Sequence, residues 1–319
     1  MRFILVLCSA ALAAAAVACA SNKGNPVSPD GSQTAAITLS GSVRATNGGQ
    51  PLGGVTLEVP GRPVTTDGSG DFAFETSAAA RLQLAFTGAA IVPRTVTVAA
   101  EATRSVGVID AISTEGFDLA FYRQLVRNGL EMPASLQRLR RWTSAPNVYL
   151  RTVREDGGNI DAAMLDTTEE AIREAIPQWS GFSPASIVRG TDTRTGQSGW
   201  LTIKWPGVVG SDRVCGRADI GLSGGQIELF VPTATACGCD GAARIRPRTV
   251  RHEIGHAMGF WHTDSVSDVM FGTSATCDLL PSARERAAAT IAYSRPVGNG
   301  DPDVDPSSST SIHPMRLVP

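Results

Sequence analysis

The chain has 319 residues, 42% of them hydrophobic and 18% charged, which allows roughly two domains and is too apolar for a disordered chain. Twenty-eight Lys and Arg stand against 30 Asp and Glu for a net charge of −2, scattered without a basic run, so there is no electrostatic footprint for nucleic acid. With 33 Gly and 19 Pro beside only 6% aromatic residues, the architecture is expected to be rich in turns.

Met1 and Arg2 open an apolar, Ala-rich run to Ala18, followed at once by Ser21-Asn22-Lys23-Gly24-Asn25-Pro26. The run falls short of the roughly 20 apolar residues of a spanning helix and reads as an export signal over 1–18. Ala16-Val17-Ala18-Cys19 resembles a bacterial lipobox, and that resemblance implies lipidation of Cys19 and a membrane anchor. The rival is ordinary cleavage after Ala20, since Ala18-Cys19-Ala20 also has the small-x-small form; either way the chain is exported. Residues 19–35 are polar and Gly/Pro-rich, a flexible tether.

From 36 to 110 short runs alternate apolar and polar residues: Ile37, Leu39 and Val43; Val55, Leu57 and Val59; Phe72 and Phe74; Leu82, Leu84 and Phe86; Val96 and Val98; Val106 and Val108. Asn47-Gly48-Gly49 and Asp67-Gly68-Ser69-Gly70 punctuate them, and the spacing predicts an all-β sandwich. Gly41-x-Val43, Pro51-Leu52-x-Gly54-Val55-x-Leu57 and Thr65-Thr66-Asp67-x-x-Gly70-x-Phe72-x-Phe74 resemble carboxypeptidase regulatory-like (transthyretin-like) domains. That resemblance implies a surface spacer and says little about function.

Residues 111–145 form a linker with one helical apolar face, Phe117 to Val126. A second domain, 146–295, is expected to be α+β. Val148–Val153 reads as a strand, and Thr167-x-x-Glu170 as the capping box of a helix carrying Ile172, Ala175, Ile176 and Trp179. Strands are expected at 200–205, 214–220 and 226–231. A helix from Pro247, a Cys-containing loop and a last helix capped by Ser282-x-x-Glu285 follow. The Gly/Pro/Asp/Ser tail, 296–319, is expected to be unstructured, and Asp301, Asp303 and Asp305 within it to be solvated, with no loop geometry that would define a calcium site.

Chemistry concentrates in His252-Glu253-Ile254-Gly255-His256 and its continuation through Gly259 to His262. At 3.6 residues per turn His252 and His256 share a helix face and can bind one ion. Gly259 can turn the chain so that His262 arrives as a third ligand. Three nitrogens leave one position for a water, whose pKa on zinc falls to about 7, and Glu253 is placed to take its proton. Three of the chain's four histidines fall in this pattern, so one Zn2+ per chain is expected.

The stretch resembles the signature of metzincin zinc endopeptidases, H-E-x-x-H-x-x-G-x-x-H with a downstream methionine turn, for which Met270 in Asp268-Val269-Met270-Phe271 is the match. Thr263 after the third His and the absence of a Tyr two residues past Met270 make it matrixin-like. The resemblance, over about 146–295, implies a zincin fold, a catalytic Glu253 and protein or peptide substrates. It departs in offering no second, structural zinc site, since His313 is the only other histidine. Asp264 and Asp268 are given no role.

Export to an oxidising compartment makes Cys215, Cys237, Cys239 and Cys277 candidates for two disulfides. One intervening Gly keeps Cys237 and Cys239 from pairing with each other. Two connectivities stay open: Cys215–Cys237 with Cys239–Cys277, or Cys215–Cys239 with Cys237–Cys277. Arg213-Val214-Cys215-Gly216 faintly resembles a cysteine-switch segment, but a disulfide partner is the expected role of Cys215. The sequence-based reading is an exported zinc endopeptidase, with a surface binding protein bearing a structural metal as the alternative.

Overall fold

Alternation turns into strand pairing from Ala36 onward in the computed structural model. It describes residues 36–307 except 47, 60–62, 78–80, 99–104 and 274, together with 316 and 317. The segments read from sequence as export signal and tether, and Cys19 with them, lie outside the described residues.

Seven strands come first: β1 (Ala36–Ala45), β2 (Thr56–Glu58), β3 (Val64–Thr65), β4 (Asp71–Ser77), β5 (Leu82–Thr87), β6 (Arg94–Val98) and β7 (Ser105–Ala111). They form a three-stranded sheet, β4-β1-β7, and a four-stranded sheet, β3-β2-β5-β6. Period-two alternation sends Leu39, Val43, Leu57, Phe74, Leu84 and Phe86 into a core of their own, where Phe72 meets Phe86 edge-on at 5.6 Å between ring centroids.

Helix α1 (Leu119–Arg127) begins at Asp118, whose carboxylate accepts from the Phe121 N–H, and ends at Asn128 in the left-handed region. Its Phe121, Leu125 and Val126 enter a second, larger core. Ala111 ends β7, and the rest of 112–145 is irregular, not helical.

Next come β8 (Asn147–Arg154), α2 (Ala162–Ser180), β9 (Ser186–Gly190), β10 (Trp200–Trp205), β11 (Gly216–Asp219), β12 (Gln226–Leu229), β13 (Gly238–Cys239) and β14 (Ala242–Ile245). Then follow α3 (Pro247–Met258), α4 (Ala283–Tyr293) and β15 (Arg316–Leu317). The large sheet has the order β15-β11-β12-β10-β8-β9; β8, β9, β10 and β12 run parallel, and β11 runs antiparallel to β12. Helix α2 starts earlier than Thr167: Asp161 is its N-cap, accepting from Met164 N–H, and Thr167 lies inside the helix, its hydroxyl donating to the Ala163 carbonyl. The Ser282/Glu285 capping box of α4 is present as expected.

The tail corrects the sequence reading. From Pro296 to Ser307 the chain is folded, and Asn299 and Asp303 are buried. Arg94 and Arg295 meet Asp303 at 3.1 and 2.9 Å, Arg94 also meets Asp305 at 2.6 Å, and Arg123 meets Asp301 at 2.8 Å. The three aspartates expected to face water are thus each held by a guanidinium, which also removes them as free calcium ligands. Arg295 pairs with Asp110 of β7 as well, so this clasp joins the two cores, and residues 36–319 cluster as one compact unit. Among the described residues, no helix is long and apolar enough to cross a membrane.

Candidate metal centre

Pro247 sits at the first position of α3, where its missing N–H costs nothing, and the helix then carries His252, Glu253 and His256 into the larger core. Two glycines fix what lies against it. A Cβ on Gly255 would stand 2.4 Å from the Met270 sulfur, so only glycine lets the methionine pass beneath the helix. Gly259 ends α3 at φ 112°, and a Cβ there would stand 2.0 Å from the Arg140 carbonyl. The reversal brings His262 back toward the two helical histidines.

The Nε2 atom of His256 lies 3.1 Å from that of His252 and 3.2 Å from that of His262. Each ring's other nitrogen faces an oxygen: His252 Nδ1 the Val269 carbonyl at 2.8 Å, His256 Nδ1 the Phe260 carbonyl at 2.8 Å, and His262 Nδ1 the Glu131 carboxylate at 2.6 Å. Those oxygens only accept, so each Nδ1 donates the ring's proton and each Nε2 presents a lone pair. Three lone pairs at these separations repel one another unless a cation lies among them, and the donor set therefore fits a divalent metal bound by neutral imidazoles. Burial, reinforced by the neighbouring imidazoles, holds His252 well below the ordinary histidine pKa and His256 down to about 3.

Met270 is fully buried beneath the site, and the turn around it is held from several sides. Glu285, the capping residue of α4, accepts from the N–H groups of Val269 and Met270 at 3.1 and 2.9 Å. Burial raises its pKa, while these backbone donors oppose the rise. Arg248 donates to the carbonyls of Val269, at 3.0 Å, and Phe271. Asp268, given no role from sequence, is completely buried; it accepts from Thr263 at 3.0 Å and Ser282 at 2.9 Å and pairs with Arg284. It ties the segment after His262 to α4 and leaves Asp264 on the exposed side, in contact with Gln124.

Glu253 lies under β11: a Cβ on Gly216 would stand 2.4 Å from its Oε1. Both line a cavity of about 550 Å3 that also takes in His252, Arg248 and Thr249 of α3, with Thr235 to Cys237 on one rim and Gly272, Thr273 and Ala275 on another. Disulfide Cys215–Cys237 borders it; with Cys239–Cys277, at Cα separations of 5.4 and 5.2 Å, it selects the first of the two connectivities left open. A thiolate role for Cys215 is closed off by its bond. A second grouping of potential ligands, Cys239, Asp240 and Cys277, has its two sulfurs bonded to each other. The chain's three tyrosines are placed elsewhere: Tyr149 accepts from Asp192 N–H, Tyr293 donates to the Met258 carbonyl, and Tyr122 of α1 is buried in the larger core.

The structure thus brings together His252, His256, His262, Glu253 and Met270, all singled out from sequence, and adds Glu131, Gly216, Asp268 and Glu285. Glu131 could not have been found from sequence, because it lies 131 residues before His262 in a stretch with no periodicity.

No family model matches the chain, and no curated protein matches it. Among solved structures it is similar to metalloproteinase-II from Bacteroides fragilis, at 14% identity and a TM-score of 0.34, over 79% of this chain and 84% of that one. A likeness at that level leaves the assignment to the geometry of the site itself.

Proposed function

We propose that this chain is an exported zinc endopeptidase of the metzincin type, matrixin-like in its methionine turn. The observation that carries the proposal is the convergence of three imidazole lone pairs beside a buried glutamate at the floor of an open cleft. When bound, the ion supplies Lewis acidity at the coordination position that three protein ligands leave free. His252, His256 and His262 hold it, and Glu131, Val269 and Phe260 keep the three rings oriented. Glu253 accepts the proton of the attacking water and returns it to the leaving amine. The absence of a tyrosine in the cleft leaves backbone N–H groups as this chain's contribution to the developing oxyanion. The paired cysteines support folding in an oxidising compartment. Lipidation at Cys19 and a spacer role for residues 36–110 belong to the same proposal.

The test is metal analysis of the purified chain together with a peptide-library digest. One zinc per chain that disappears in His256→Ala, with cleavage that disappears in Glu253→Ala while zinc is kept, is the expected result. A wild type without metal would overturn the site; a metal-loaded chain that cleaves nothing would favour the binding-protein reading.

A further inference from the structure

The cavity beside the metal site departs from the apolar lining that ligand pockets usually have. Among the described residues that line it, Val214 is the largest apolar side chain, whereas three arginines, Arg213, Arg246 and Arg248, take part. Two carboxylates stand against them. Asp212 pairs with Arg217 at 3.6 Å, and Glu253 belongs to the metal site, so guanidinium charge is in excess.

Arg248 lies one helical turn before His252, about 6 Å along the axis and on the same face of α3. It is 4% exposed. Its Nη2 donates to the carbonyls of Val269 and Phe271, but among the described residues no ion pair joins it to a carboxylate, and its Nε has no partner. Burial brings its pKa down to about 10 against the opposing charges of Glu285 and Glu253, so it remains a cation at neutral pH. A buried charge short of a counter-ion is costly, and an anion that enters the cavity offsets that cost. Arg246, half-buried at the N-cap of α3, donates from Nε to the Gly238 carbonyl at 2.7 Å. The first turn of α3 holds no acidic residue, so the positive end of the helix adds to the same sign.

We propose that this cavity binds a carboxylate of the peptide lying across the metal site, held by the guanidinium groups of Arg248 and Arg246. Two sources carry the same chemistry, a Glu or Asp side chain and a free C-terminus, and a guanidinium fork suits either. A large apolar side chain meets charged groups there in place of methyl groups. Only the word substrate for that peptide rests on the peptidase reading; the carboxylate pocket does not.

The experiment uses the metal-loaded full chain and the variants Arg248→Gln and Arg246→Gln. The probes are short acetylated peptides alike except for Glu, Gln or Leu at one scanned position, each made as C-terminal amide and as free acid. Binding is measured by calorimetry in the Glu253→Gln background, and hydrolysis by chromatography with Glu253 intact. Glu in place of Gln, or acid in place of amide, should improve Kd and kcat/KM about ten-fold. The gain should vanish in Arg248→Gln and fall to about three-fold in Arg246→Gln. A gain from Glu in both end forms assigns the pocket to a side chain, and a gain from the free acid alone assigns it to a C-terminus. No gain from either, a preference for Leu, or a gain that both variants keep overturns the proposal. Should Arg248→Gln lose its fold with its two carbonyl contacts, Arg246→Gln decides alone. A carboxylate preference in binding with no hydrolysis upholds the pocket and removes the peptidase reading; hydrolysis without that preference does the reverse.

Discussion

The histidine site and the clasp around Asp303 are both buried groups of polar side chains, and they differ in how their charges close. In the clasp, Asp303 faces Arg94, Arg295 and Asn299, so each acceptor meets a donor and the cluster is complete within the protein. Burial alone would lower the Arg295 pKa; the Asp303 and Asp110 carboxylates outweigh it and hold it above the ordinary value. In the histidine site three acceptors of the same kind face one another, and oxygen acceptors satisfy only the N–H on the far side of each ring. A cluster that cancels internally holds the fold together, and one whose like groups converge calls for something from outside.

Acid should separate the two most strongly. The folded pKa of His252 and His256 lies below the unfolded value near 6.5, with His256 at about 3. Between those values the unfolded chain binds protons that the folded chain refuses. Stability of the metal-free protein is therefore fully present above about pH 6.5 and is lost as pH falls toward 3. Denaturant melts in chelator across that range check this, and a flat profile would contradict the buried neutral imidazoles.

Breaking the clasp should act on stability alone. Asp303→Ala takes one carboxylate from each of two buried guanidinium groups, which keep Asp305 and Asp110 as partners, and should cost about 1–3 kcal/mol, read by chemical denaturation, with zinc affinity unchanged in the protein that remains folded. Breaking the chemistry should act on turnover alone: Glu253→Gln should lose roughly 10²-fold or more in kcat while keeping zinc and melting temperature. The smallest effect should come from Glu131→Gln, which keeps an acceptor for His262 but removes its charge. Zinc affinity should fall by about 10-fold to 100-fold in competition with a chelator, and an unchanged affinity would make Glu131 a bystander.

Local order was legible where it is written in consecutive residues. The His252–His262 pattern announced the three imidazoles that converge, the interval to Met270 announced the methionine packed against Gly255, and Ser282-x-x-Glu285 announced the start of α4. What escaped depends on partners far apart in the chain. Glu131, Gly216 and Asp268 act through contacts with His262, Glu253 and Arg284 that no periodicity announces. The stretch from Pro296 looks like a solvated tail because its Asp, Pro and Gly content is that of one; what folds it is the set of arginines at 94, 123, 127 and 295, three of them contributed by earlier elements. Thr167 was read as a cap because its spacing to Glu170 fits a capping box. Asp161 wins because the apolar face already begins before Thr167, with Leu165 packed in the larger core. Strand β9 and the β13–β14 hairpin lack the apolar alternation that exposes the other strands, and the hairpin carries three exposed residues out of four in its second strand.

The residues Cys237-Gly238-Cys239 carry one end of each disulfide, the first bond reaching Cys215 on the β11 rim and the second Cys277, two residues past Ala275 of the opposite rim. Mechanically this is a yoke: a single short link is bolted to both jaws of the cleft, so a force that spreads one jaw is carried through covalent bonds to the other. Gly238 fits at its centre because a side chain would strike the carbonyls of Thr233 and Ala242, at 2.3 and 2.2 Å. The gape of the cleft is thereby limited by bond lengths and not by packing alone, and it yields only when the sulfurs are reduced.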